Sequence, residues 1–384
     1  MVLVEKQNKE KIRNVAICFS LFMASMLFQT SYMRLGTIVA AGTMFLTVGA
    51  FLLKSTFSRV SIKFNNYVAL LMLFLIYTAF GCYLNGHFPS YFIKFVTQIL
   101  LCALLFSVNI TERENEYLKW VFTLSSSIYA VLVIVACVEN AREGYARTDI
   151  LLFGAKLDPN FVGIPFVASM TLLLDNVLNK KKTFVSIALY VVNAIAIVYT
   201  ASRGSFLSAI ISSVMVFAFF LFSKKIKFSR KLFYFVLVIV LIGVLIKVIE
   251  TQFPLQWERM LNFDSDDGGN GRLDLWDKAL LRWQQNPIFG GGLYSNYLNS
   301  GRATHNTYLQ LLSETGLIGL GIGITFFVLM LKKSYKFEKT LFCMLLGTMI
   351  QIFFLDALDA RVFWVILCWV AMLPNMKEGG RLKV

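Results

Sequence analysis

Residues 200–225 read TASRGSFLSAIISSVMVFAFFLFSKK. From Ser205 to Phe222 nothing is charged, and about 20 such residues are what a helix needs to cross the hydrocarbon core of a bilayer. Lys224 and Lys225 close the run on one side, and Ser202, Arg203 and Gly204 open it on the other. An uncharged run ending in a basic pair is the signature of a spanning helix whose basic end faces the cytoplasm.

Runs of the same kind start near Asn14, Leu35, Tyr67, Ser90, Trp120, Phe161, Phe184, Leu232, Tyr308, Leu341 and Val362. With the run at Ser205 this predicts an all-α polytopic membrane protein of about 12 transmembrane helices, the last one short. Composition agrees. Only 15% of the 384 residues are charged and 57% are hydrophobic, with a mean hydropathy of +0.67, whereas a soluble domain carries roughly 25% charged residues. The first apolar run follows Lys6, Lys9, Lys11 and Arg13 and lacks a small-residue cleavage site, so it reads as a retained helix rather than a signal peptide. The whole chain, 1–384, reads as a single transmembrane domain.

The formal net charge of +15 does not indicate a nucleic-acid partner, because the charges sit in short loops between apolar runs. With a cytoplasmic N-terminus, the cytoplasmic segments are 54–64, 110–119, 179–183, 223–231, 332–340 and the C-terminal tail. Together with the N-terminus they hold 24 of the 37 Lys and Arg residues, while most of the 22 acidic residues fall elsewhere. That asymmetry predicts both termini in the cytoplasm. The six cysteines, Cys18, Cys82, Cys102, Cys137, Cys343 and Cys368, lie in or beside apolar runs and imply no disulfide framework. No ionisable residue is expected at the middle of a helix, which argues against an ion-coupled transporter.

Two extracytoplasmic segments are long, 139–160 and 250–303. The second predicts two short amphipathic helices, one opening at Pro254 and one from Arg272 to about Gln285, stopped by Pro287 and Gly290-Gly291-Gly292. On the second, Trp276, Ala279, Leu280 and Trp283 share a face, as an interfacial helix requires. Arg272 falls on that apolar face. It either snorkels to lipid phosphates or points into a cavity holding an anion.

Arg203 stands in the outer turn between two apolar runs, where the backbone N–H groups of Ser202, Gly204 and Ser205 suit a phosphate; a plain loop cap is the bland alternative. His305, one of two histidines, is expected at the top of a helix on one face with Leu309, Leu312, Gly316 and Gly319. The small residues there admit a close neighbour. An imidazole at the membrane boundary can take a proton from a sugar hydroxyl, although a lone histidine is more often structural.

Three stretches together resemble the O-antigen ligase and O-antigen polymerase family of bacterial envelope enzymes. They are Ser202-Arg203-Gly204; Gly271-Arg272 with Trp276 ahead of Pro287, Gly290 and Gly292; and His305-Asn306 with Tyr308, Glu314, Gly316 and Gly319. Asp158-Pro159-Asn160 fits too, less diagnostically. The resemblance covers residues 200–320, including the 250–303 loop, while the first 140 residues match in hydropathy alone. It implies extracytoplasmic glycosyl transfer, at the bacterial inner membrane, from an undecaprenyl-diphosphate-linked glycan donor to a glycan acceptor. Such a donor carries its own driving force, which matters where there is no ATP.

In that scheme Arg203 and Arg272 bind the diphosphate and His305 deprotonates the acceptor hydroxyl, which attacks in line with inversion. Ser202, Gly204, Trp276, Asn306, Tyr308 and Asp356 are candidate substrate-binding residues, with Asp356, Asp359 and Arg361 supporting the site from behind. No cofactor and no metal are expected; Asp264-Ser265-Asp266 has the shape of a divalent-ion motif but sits in a solvated turn. Membrane lipid and a chain-length regulator are the other candidate partners. The acceptor, either another lipid-linked repeat unit (a polymerase) or lipid A–core (a ligase), is open, with polymerisation of O-antigen or capsular units favoured. A lipid-linked oligosaccharide transporter is the rival of a different class.

Overall fold

The computed structural model describes residues 12–27, 34–58, 64–89, 92–140, 150–152, 155–224, 226–261, 271–358 and 360–374. Asp264-Ser265-Asp266 and Asp359 lie outside the described residues.

The helices are α1 (Asn14–Leu27), α2 (Arg34–Ser58), α3 (Asn66–Leu84), α4 (Phe92–Leu105), α5 (Glu112–Glu139), α6 (Pro159–Leu178), α7 (Thr183–Thr200), α8 (Arg203–Phe222) and α9 (Phe228–Gln252). They continue with α10 (Pro254–Leu261), α11 (Arg272–Gln285), α12 (Ser295–Ser300), α13 (Thr307–Phe337), α14 (Lys339–Gln351) and α15 (Arg361–Ala371). A 3-10 turn, Ile352–Phe354, ends α14. Each of the twelve apolar runs is a helix. Among the described residues six of them, α3, α5, α6, α7, α8 and α13, are long and apolar enough to cross a membrane, and α1, α2, α4, α14 and α15 hold shorter apolar stretches. This is an α-helical, multi-pass membrane protein. One departure from all-α is a short antiparallel hairpin, β1 (Ile150–Leu152) with β2 (Ala155–Leu157), in which Leu151 pairs with Lys156.

The bundle is organised around α6, which is buried along most of its length and packs on α5, α7, α8 and α14. Apolar packing gives little preference for one helix neighbour over another inside lipid, so polar bonds between helices matter for register. Ser126 on α5 donates to Asn193 Oδ1 on α7 at 2.9 Å, and Asn193 Nδ2 donates to Ser127 Oγ at 2.8 Å. All six cysteines are free.

The basic and acidic loop residues gather at one end of the bundle. Arg13 pairs with Glu114, Lys119 with Glu116 (2.8 Å) and Glu338, and Arg230 donates to Leu178 O at 2.6 Å. Thr111 and Glu114 cap α5 reciprocally. The turns before α6, α8 and α13 and after α14 meet at the other end, which carries the site.

Two expectations about α13 are corrected there. First, His305 is not on the helix. It precedes it in the left-handed region (φ 51°), and the helix starts at Thr307 with Asn306 as its cap. Second, the span is not continuous, although the small residues do admit a close neighbour, since a Cβ at Gly319 would stand 3.1 Å from Tyr77 Cε1 on α3. At Gly316 the backbone turns non-helical (φ 66°, ψ −170°), and a Cβ at Gly323 would stand 3.3 Å from Leu311 Cδ1. Twelve residues along a straight helix span about 18 Å, so the short Thr307–Thr315 half folds back on the longer half.

The break leaves backbone groups that must be satisfied. The loop after α11 supplies them. Gly291 N donates to Ser313 O and Gly292 N to Glu314 O, both at 2.9 Å, while Leu317 N donates to Pro287 O at 2.9 Å. The Tyr77 hydroxyl on α3 lies 2.9 Å from both Thr315 O and Ile288 O, which share its one proton. The Pro287–Gly292 and Glu314–Gly316 motifs are thus two sides of one fitted joint. A Cβ on Gly316 would fall 2.1 Å from Ile288 O, and one on Gly290 2.5 Å from Gly316 N. Glu314 is buried at this joint, its carboxylate accepting from Asn296 Nδ2 and Gln310 Nε2 at 3.2 Å each; hydropathy gave no sign of a buried acid there.

Candidate active site

The residues Ala303–Asn306 enter the site end as an irregular turn whose polar groups are satisfied by one buried carboxylate. Asp356, between α14 and α15, accepts from His305 N at 3.1 Å through Oδ2, and from Asn306 N at 3.1 Å and the Thr304 hydroxyl through Oδ1. Thr307 Oγ1 donates to Leu355 O at 2.7 Å and accepts from Ala357 N at 2.8 Å. Three donors on one carboxylate fix the turn, which explains how His305 keeps a backbone conformation that costs a non-glycine residue about 1–2 kcal/mol.

Asp356 contacts the backbone of His305, not its ring. Nδ1 of His305 is buried without a hydrogen-bond partner among the described residues. Burial is the largest influence on the imidazole and pulls its pKa below the ordinary value; the carboxylates of Asp356 and Asp158 oppose this, and the guanidiniums of Arg272 and Arg302 add to it. Burial also pushes the Asp356 carboxyl upward, against the three bonds that favour its charged form.

Helix α11 begins at Arg272 and ends at Gln285, as its sequence predicts. Its inner face carries buried Leu275 and Ala279 with half-buried Arg272, Trp276 and Trp283, while Asp274, Asp277 and Lys278 are exposed. Trp276 Nε1 donates to Thr304 O at 3.1 Å and its ring meets Phe353 edge-on at 5.8 Å. This bond ties the first turns of α11, and hence Arg272, to the turn that carries His305.

Arg203 is the first residue of α8 and half-buried; its Nε donates to Arg259 O on α10 at 2.8 Å. The preceding Ser202 caps α8, accepting from Ser205 N at 3.3 Å and donating to Asn160 Oδ1 at 2.8 Å. Gln351 Nε2 bonds both Asn160 O (3.0 Å) and Ser205 Oγ (2.9 Å). Asp158 caps α6 through Asn160 N at 2.7 Å. The start of α6 therefore stands between the two parts of the site, with Asn160 bonded to the Arg203 turn and Asp158 in the field of His305.

Several sequence-nominated residues have structural tasks at this place. Ser202 is a buried cap. Gly204 gives room, because a Cβ there would lie 2.7 Å from Phe354 Cβ. Asn306 caps α13 through Tyr308 N (3.0 Å) and Leu309 N (3.2 Å). The Tyr308 hydroxyl donates to Met349 O at 2.8 Å. Arg302 and Thr304 carry no motif of their own in the sequence, although both stand within three residues of His305. The bond from Asn160 to Gln351 joins residues too far apart in the chain for any spacing rule to connect.

The family model for O-antigen ligase matches residues 188–324. Over that stretch the chain is similar to the O-antigen ligase family. No curated protein matches the chain. The family's chemistry is glycan transfer from a lipid-linked donor to a glycan acceptor. The matched segment, from α7 into α13, carries Arg203, Arg272 and His305. Asp158, Asn160, Gln351 and Asp356 lie outside it and reach it only through the fold.

Proposed function

We propose that this protein transfers a glycan from an undecaprenyl-diphosphate donor to a glycan hydroxyl at the outer face of the bacterial inner membrane, lengthening O-antigen or capsular chains. What carries the reading is the His305 turn. An imidazole held below its ordinary pKa by burial, with two arginines and two carboxylates acting on it, suits a general base beside an anionic leaving group.

In this scheme the acceptor hydroxyl gives its proton to His305 while its oxygen bonds to the anomeric carbon. The bond from that carbon to the diphosphate breaks, and the diphosphate leaves with the electron pair. Arg272 and Arg203 stabilise the charge that develops on it. Asp356 acts through the backbone of the turn and is a positioning residue. In-line attack inverts the anomeric centre, and the guanidiniums do the electrostatic work that a metal ion does elsewhere. The positive-inside distribution of loops supports a cytoplasmic N-terminus and C-terminus and an extracytoplasmic site.

The test is reconstitution of the full chain in nanodiscs with a defined undecaprenyl-diphosphate oligosaccharide. Chain lengthening without added acceptor lipid is expected. Transfer only when lipid A–core is supplied makes the protein a ligase instead. Activity that survives His305→Ala removes the mechanism, and activity abolished by EDTA removes its metal independence.

A further inference from the structure

The mechanism above uses two arginines, but a third stands at the site. Arg302 is exposed, and its guanidinium has no hydrogen bond or ion pair among the described residues. Its Nη1 would be 3.5 Å from a Cβ on Gly271, the residue just before Arg272. Both arginines act on His305, and the Trp276–Thr304 bond holds their two segments together. Arg302 thus adds a second guanidinium on the His305 side of the site, and two such groups on adjoining segments suit an anion with more than one charged oxygen. The exposed Lys278 on α11, by contrast, is paired with Asp274 at 2.6 Å.

We infer that Arg302 is a diphosphate-binding residue, forming with Arg272 a two-guanidinium clamp on the side of the site nearest His305. The ligand class is a polyprenyl diphosphate, so the assignment rests on the donor reading given above. Two forks on adjacent phosphates match a diphosphate better than a monophosphate, because each planar guanidinium can take one phosphate with paired bonds. Arg302 is the more exposed of the two, so its contribution lies in capturing the donor, with a smaller effect on the transfer step.

The experiment measures binding of undecaprenyl diphosphate and undecaprenyl monophosphate to the full-length protein in nanodiscs, for wild type, R302Q and R302K. Wild type should prefer the diphosphate. R302Q should weaken diphosphate binding about tenfold or more, the usual effect of losing a charge-assisted bond, with little change for the monophosphate. R302K should fall between, since an ammonium keeps the charge but not the fork. In transfer assays R302Q should raise KM more than it lowers kcat. Equal diphosphate affinity in R302Q and wild type overturns the role of Arg302 and leaves the donor reading standing. A wild-type protein that binds neither lipid overturns the donor reading and this role with it.

Discussion

Asp356 holds His305 by its backbone: Oδ2 of the carboxylate accepts the His305 amide at 3.1 Å while Oδ1 takes the Asn306 amide and the Thr304 hydroxyl. The general base is thereby placed by a residue 51 positions later in the chain, on a different turn. Asp356→Asn should disturb this arrangement, because its amide NH2 must face a donor. An unpaired buried donor costs about 1–3 kcal/mol, which should appear as a lower melting temperature in detergent. The transfer rate should fall at least tenfold with a smaller change in donor KM, and an unchanged kcat would show that the turn does not position the base.

The pH profile of transfer follows from the surroundings of His305. A base must be unprotonated, and burial holds this imidazole below its ordinary value of 6.5. The rate should therefore rise with pH through a midpoint below 6.5. Removing a neighbouring positive charge by R302Q or R272Q lifts the imidazole, so the acid limb should move to higher pH. Removing the Asp356 charge should move it lower. The same depressed pKa makes the unfolded chain the better proton binder, so the stability this group provides is complete above 6.5 and declines as pH falls below it.

Trp276→Phe keeps most of the ring and removes only the bond from Nε1 to Thr304 O at 3.1 Å. About 1 kcal/mol of stability should be lost. The more telling readout is kinetic, since release of the α11 first turn loosens Arg272 and the His305 turn together. A fall in kcat should exceed the fall in stability; wild-type kinetics would mean that α11 is held elsewhere.

Gly316→Ala tests the joint in α13. The position has φ 66°, and its new Cβ would stand 2.1 Å from Ile288 O and 2.7 Å from Phe289 N. Neither neighbour is a flexible side chain, so a loss of about 3 kcal/mol or more is expected. Gly321→Ala is the control, because nothing lies within 4 Å of its Cβ; its melting temperature should match wild type or exceed it.

Arg203→Lys loses the planar fork and the Nε bond to Arg259 O at 2.8 Å. An ammonium supplies a point charge but cannot make paired contacts to a phosphate. Transfer should drop tenfold or more, and full activity would reduce Arg203 to a link between α8 and α10.

The membrane class, the position of every apolar helix and the limits of α11 follow from the sequence alone. They depend on local quantities, namely the length of uncharged runs, the loop charges and the face on which Arg272 recurs with Trp276 and Ala279. The motif residues Arg203, Arg272 and His305 are likewise adjacent in chain to breakers and caps that mark them. What each motif residue does is a tertiary matter. His305 leaves the helix because Asp356 satisfies the amides of its turn. Gly316 breaks α13 because Gly291, Gly292, Leu317 and Tyr77 complete the hydrogen bonds that a straight helix would have made. Asp158, Asn160 and Gln351 join the site because three helix ends from distant parts of the chain converge on it. Periodicity registers which face of a helix is apolar, but it carries no information on which distant amide or carbonyl will satisfy a broken turn, and in this protein those pairings build the site.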